Sequence, residues 1–248
     1  MVWHDAAMAR VPTTVVLVHG AWHGAWCWAP LQAALDRRGV PSYAIDLPGH
    51  GASTLPLNDL YGDAAHVAHT LRSLDRNVVL VGHSYGGAVV TEAASAADIG
   101  DRVAHLVYLT AFALDADESV MDVITSTHRD VLLGGAMLPH GDGATVLDPS
   151  LTAAALYGSC PSWAVDAALP RLSPHSMASF GQPVTGSPRT HLPSTYAECT
   201  LDQAIHIDHQ RVMSARCDTV VTWQTDHSPF ISMVDATADL LQQIAGRQ

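Results

Sequence analysis

The chain has 248 residues, of which 15% are charged, and a formal net charge of −12. That balance argues against nucleic acid and anionic membrane surfaces as partners, because both call for a basic face. All 12 basic residues are Arg, which excludes Schiff-base chemistry, pyridoxal attachment and a P-loop lysine.

The length suits one large α/β domain whose core needs no covalent staples. Cys27, Cys160, Cys199 and Cys217 are widely spaced, lack C-x-x-C spacing and read as buried thiols in a reducing compartment. Residues 1–12 read as a loose leader without the apolar core of a signal peptide. No apolar run approaches the ~20 residues that span a bilayer, so a soluble cytoplasmic protein is the expectation. Among the 15 His residues, His206 and His209 are three apart without a clear third ligand, and no metal is expected.

In chain order, Thr14–Val18 reads as the first strand, Leu31–Arg38 as a helix closed by Gly39, and Ser42–Ile45 as the next strand. Apolar residues at 57, 60, 61, 64, 67, 68, 71 and 74 follow a 3.6-residue period and predict a helix. Val78–Val81 is a β-branched run that reads as a buried strand, and Ala88–Ala97 reads as a helix. Val103–Phe112 is a further strand. The alternation implies a mostly parallel sheet with helices on both faces.

The rhythm breaks over residues 114–191, which carry no strong strand pattern. Nearly eighty residues cannot be a bare loop, so this segment reads as an inserted helical cap of short helices and loops. The core is then 1–113 with 192–248, forming one structural unit with the cap. Strands at Ser194–Thr200 and Thr219–Trp223 flank a helix around Gln203–Ala215. A closing amphipathic helix follows, with Ser228 as N-cap and Pro229 at N1.

The chemistry centres on Gly82-His83-Ser84-Tyr85-Gly86-Gly87, between a strand and a helix. G-x-S-x-G in that context is a nucleophile elbow. Its turn is so sharp that Ser84 must take a strained backbone conformation, and Gly82 and Gly86 remove Cβ atoms that would collide. Ser84 Oγ is then exposed beside a helix N-terminus, whose free N–H groups suit an oxyanion. A serine needs a base, and the base needs an orienting acid. His227 follows the last strand and Asp202 follows the Ser194–Thr200 strand, giving Ser84, Asp202 and His227 in the order of α/β-hydrolases. Asp226 is the main rival acid and Asp115 a weaker one. The oxyanion donors expected from position are the backbone N–H groups of Tyr85 and Ala21. His19, His83 and Asp46 read as structural.

HGAWHGAWCW at 19–28, DLPGHG at 46–51, GHSYGG at 82–87, LYGSCP at 156–161, ECTLDQAI at 198–205 and DHSPF at 226–230 together resemble the plant methylesterase and hydroxynitrile-lyase family, and especially its bacterial esterase and pyrethroid-hydrolase relatives. The resemblance covers nearly the whole chain. It implies an α/β-hydrolase fold, the triad Ser84, Asp202 and His227, and oxyanion donors Ala21 and Tyr85. The family's lyases carry Thr after the first-strand His and Lys after the catalytic His. Here those places are Gly20 and Ser228, so the resemblance implies an esterase rather than a lyase.

The expected activity is serine carboxylesterase hydrolysis of a neutral, hydrophobic small-molecule ester, with no cofactor. Trp22, Trp26, Trp28 and Trp163 are candidates for the pocket wall. A biosynthetic lactone-opening, cyclisation or elimination enzyme and a non-catalytic small-molecule binder stay open as alternatives, and so does a homodimer.

Overall fold

The computed structural model describes residues 13–74, 78–141 and 143–247. The leader expected at residues 1–12 lies outside them. β1 (Thr14–Val18), α1 (Ala29–Arg37), β2 (Ser42–Ile45), α2 (Leu60–Ser73), β3 (Val78–Ser84), α3 (Gly86–Ser95), α4 (Ala97–Gly100) and β4 (Val103–Ala111) come first. The inserted segment contains α5 (Val120–Ser126), α6 (Leu132–Ala136), β5 (Met137–His140), β6 (Ala144–Leu147), α7 (Pro149–Leu156), α8 (Ser162–Ala168), β7 (His175–Ser176) and α9 (Ala178–Gly181). The chain closes with β8 (Ser194–Cys199), α10 (Ile207–Ser214), β9 (Thr219–Trp223), α11 (Pro229–Ser232) and α12 (Val234–Ala245).

Six strands form one parallel sheet in the order β2-β1-β3-β4-β8-β9. Its central strands are apolar at successive positions because both faces are covered. Val16, Val18, Val78 and Leu80 join the core with α2 and α3, whereas Val15, Leu17, Val79 and Val81 join the core with α1 and α12. The period-2 alternation of side chains thus feeds two apolar layers from one run of residues.

Four expectations need correction. The inserted segment is more than helices and loops: β5, β6 and β7 form an antiparallel sheet. Its strands are only two to four residues long and one contains Pro139, so no strand pattern could build up. The helix predicted from residue 57 begins at Leu60, because the Asp59 side chain accepts from Gly62 N and caps it there. The helix predicted from 203 begins at Ile207, because Asp202 Oδ1 holds the amides of Ala204 and Ile205 in a turn first. The closing helix is broken at Met233 (φ −130°, ψ 41°), and Ser228, at the N-cap, makes no side-chain capping bond.

The four cysteines are free thiols; Cys27 and Cys199 are buried, but Cys160 and Cys217 are only half-buried. Burial pushes the Cys27 and Cys199 thiols well above their ordinary range. Among the described residues, no helix is long and apolar enough to cross a membrane.

The turn from β3 into α3 is packed backbone on backbone. A Cβ on Gly86 would sit 2.6 Å from the carbonyl oxygens of Val18 and His19, and one on Gly82 would sit 2.5 Å from Gly86 O. Replacing a helical glycine by alanine ordinarily gains up to about 1 kcal/mol, but overpacking against fixed backbone costs about 1–3 kcal/mol. Gly86→Ala is therefore expected to lower the melting temperature, which a thermal unfolding scan against the wild type measures.

Candidate active site

Ser84 ends β3 with φ 53°, a left-handed conformation that a non-glycine residue adopts only under constraint. Its neighbours supply the room. A Cβ on Gly20 would lie 2.8 Å from Ser84 Cβ, so in this structure the glycine lets the loop after β1 run close against Ser84. The amides of Ala21 and Tyr85 donate no hydrogen bond among the described residues. Tyr85 is the residue before α3, where helix geometry leaves N–H groups free.

The loop after β9 brings His227 to Asp202, with His227 Nδ1 2.7 Å from Asp202 Oδ2 and both side chains buried. Every neighbour of Asp202 is a donor: Thr110 Oγ1 and Gln210 Nε2 reach Oδ2, and Ala204 N and Ile205 N reach Oδ1. An acceptor-only carboxylate matches that shell. It fixes the proton of His227 on Nδ1 and leaves Nε2 as the basic nitrogen. The side chain that could have been a simple turn cap is one on Oδ1 and a histidine partner on Oδ2. Among the described residues Ser84 Oγ and His227 make no hydrogen bond; such contacts commonly tighten only when substrate is present.

The other candidates fall elsewhere. Asp226 turns away from the His227 ring and accepts from Ser159 N and Ser228 N. Asp115 pairs with Arg189. His83 Nε2 donates to the His227 carbonyl at 2.8 Å, and burial drives its pKa well below the ordinary value, so it supports the loop as a neutral ring. His19 Nε2 accepts from Leu47 N, and Asp46 accepts from Ala25 N and Ala52 N. His206 caps α10 through Asp208 N, and His209 bonds the Thr127 carbonyl.

Of the four tryptophans, Trp22 alone lines the cavity that holds Ser84. That cavity, ≈ 250 Å³, is walled by Phe112, Val120, Ile124, Leu133, Phe180 and Ile205, with Met121, Met137 and Met177. Trp26 and Trp163 line a separate cleft with Arg171, whose guanidinium lies 4.7 Å over the Trp26 ring. Trp28 is fully buried between His83 and Phe230, behind the site. Apolar character marked all four, but only topology separates wall from core.

Two contributors escaped the sequence. Thr110 adopts φ 38° at a register slip, where His83 pairs with Leu109 but Ser84 with Ala111. The extra residue is a bulge, a device that re-aims a side chain, and it directs Thr110 Oγ1 at Asp202. Nothing in Tyr108-Leu109-Thr110-Ala111 announces it. The antiparallel sheet of the inserted segment also reaches the loop after β1. Trp22, with φ 63°, gives its indole N–H to Thr145 of β6 and accepts from Ser173 N at its carbonyl.

The sequence model of the alpha/beta hydrolase family matches residues 15–240. The chain belongs to this family. Methylesterase 1 of Arabidopsis thaliana is 28% identical over 94% of this chain and 95% of its own. The crystal structure of a pyrethroid hydrolase from Sphingobium faniae superposes with TM-score 0.82 at 25% identity, over 94% of this chain and 97% of that one. The structure of the methylesterase MES16 from Arabidopsis gives 0.78 at 25% identity, over 95% and 100%. Within the alpha/beta hydrolases the chain falls in the methylesterase-like group and is an ester hydrolase.

Two predictions follow from this geometry. Thr110→Val keeps the β-branched shape and removes the donor to Asp202; a hydrogen bond to a charged group is worth about 1.5–3 kcal/mol, so kcat/KM should fall about tenfold or more in an ester assay. The second concerns Asp63, buried on α2, which accepts from the Tyr85 hydroxyl at 2.8 Å while its Oδ1 has no partner among the described residues. Burial pushes its pKa from 3.8 up to about 7. The folded state therefore holds a proton that the unfolded state has lost, and stability falls as pH rises between those two values. Asp63→Asn should match the wild type near pH 4 and melt at a higher temperature near pH 8; equal wild-type and variant curves at both pH values would refute this.

Proposed function

We propose that this chain is a serine carboxylesterase that hydrolyses a neutral, apolar ester by two-step acyl transfer. The observation that carries the reading is the buried Asp202–His227 pair behind a strained serine that opens into an apolar cavity. Ser84 Oγ attacks the ester carbonyl carbon and its proton passes to His227 Nε2. The Ala21 and Tyr85 amides receive the oxyanion. Collapse breaks the bond to the alcohol oxygen, which takes the proton from His227. Water then attacks the acyl-enzyme with His227 again as base, and the acid leaves. Residues 114–191 act as the cap that roofs this cavity.

Substrate class follows from the wall. The cavity lining contains no charged side chain, and the Trp22 indole N–H is committed to Thr145. An ionised acyl or alcohol group would lose its hydration without replacement, at a cost of several kcal/mol. The names of the relatives, a methylesterase and a pyrethroid hydrolase, both state a hydrolysis, and the first states that of an ester. A cyanohydrin lyase reading is weakened by the absence of lysine. Gly20 weakens it further, since it offers no hydroxyl beside Ser84 where the family's lyases carry Thr.

A fluorophosphonate probe read by intact mass, with p-nitrophenyl ester turnover in parallel, tests the proposal. The expected result is one adduct and turnover in the wild type. Ser84→Ala should lose the adduct and about 10³-fold or more of the activity. Labelling without turnover across several acyl lengths would favour a biosynthetic lactone-opening, cyclisation or elimination role. Folded protein that resists the probe would overturn the esterase reading and favour a binder.

A further inference from the structure

Asp226 adjoins the proposed base in sequence and takes no part in the proposed proton path, yet it is 2% exposed. A buried carboxylate is expensive unless each oxygen is paired. Here both are. Oδ2 accepts from Ser159 N at 2.8 Å and from Cys160 Sγ at 3.3 Å, on the cap loop after α7. Oδ1 accepts from Ser228 N at 3.1 Å and from Ser232 Oγ at 2.8 Å, at the start of and within α11.

We propose that Asp226 is a positioning residue for the general base: its carboxylate clamps the loop that carries His227 to the cap on one side and to α11 on the other. The proposal rests on the triad reading above. His227 is then held at three points: its ring by Asp202, its carbonyl by His83 Nε2, and its preceding residue by the Asp226 clamp. The Asp202 bond orients the ring about its own axis but leaves the backbone free to shift. Catalytic groups displaced by about 1 Å can cost about a hundredfold in rate.

The clamp also accounts for the residue type at this position. Each oxygen takes one backbone N–H, Ser159 N on Oδ2 and Ser228 N on Oδ1. Neither N–H can accept from an amide NH₂, so a carboxylate satisfies both sides and an Asn satisfies only one. The segments it joins, LYGSCP at 156–161 and DHSPF at 226–230, are 66 residues apart between Cys160 and Asp226 and meet through this side chain.

The test uses the full chain as wild type, Ser84→Ala and Asp226→Asn. Each protein is titrated with the fluorophosphonate probe to count competent sites, then kcat and KM for a p-nitrophenyl ester are measured per competent site, with a thermal melt alongside. Asp226→Asn is expected to lose about tenfold or more in kcat and in the probe's labelling rate, with KM changed by less than about twofold. Per-site kcat and labelling rate equal to wild type, with only a lower melting temperature or fewer competent sites, would make Asp226 a folding staple and overturn the proposal. If Asp226→Asn does not fold, Cys160→Ala and Ser232→Ala each remove one donor from opposite oxygens. Each should then lower per-site kcat about two- to fivefold, and wild-type values in both would overturn the proposal. A wild type that neither labels nor turns over would bring down the esterase reading and this proposal together, whereas failure against an active wild type brings down this proposal alone.

Discussion

The turn at Ser84 has no spare volume, and the rest of the structure is arranged around that shortage. Gly20, Gly82 and Gly86 each stand where a single added carbon would meet backbone or Ser84 itself. The left-handed Ser84 backbone costs of order 1–3 kcal/mol and is sustained only because β3 is buried along its full length. Strain in a loose loop would relax; strain at the end of a central parallel strand, with α3 seated directly on it, cannot.

Three of the four described non-glycine residues with left-handed φ are Trp22, Ser84 and Thr110. They belong to three different connections, after β1, at the end of β3 and in the bulge of β4. One lines the cavity, one is the proposed nucleophile, and one donates to Asp202. Strain here is concentrated where groups must be aimed, and the flanking sheet over-determines each position. The two buried aspartates beside His227 show the same economy. Asp202 and Asp226 both sit in donor-only shells, but Asp202 spends one oxygen on the ring of His227 and Asp226 spends both on backbone and loop.

How much of this the sequence disclosed depends on the range of the interaction. The six core strands and the elbow were legible because a β-branched run and a glycine pair report local requirements. That Asp202 and His227 would come together was legible from their places after strands in a parallel sheet, once Ser84 fixed which end mattered. The bulge at Thr110 was not legible, because an extra residue in β4 shows only against its neighbour β3. Nor was the small antiparallel sheet of the inserted segment, whose strands of two to four residues lie below any periodicity. The tryptophans failed for a related reason. Trp22 and Trp28 are both buried and six residues apart; the positive φ of Trp22 aims one into the cavity, while the other packs behind His83.

Three methionines, Met121, Met137 and Met177, form part of the cavity wall, on α5, at the start of β5 and just before α9. Unbranched thioether chains have several rotamers of similar energy and a polarisable sulfur that accommodates different neighbours. The branched and aromatic residues around them hold most of the cavity's outline fixed. The three thioether chains are the part of that wall able to repack, so the adjustable surface is confined to α5, the start of β5 and the turn before α9.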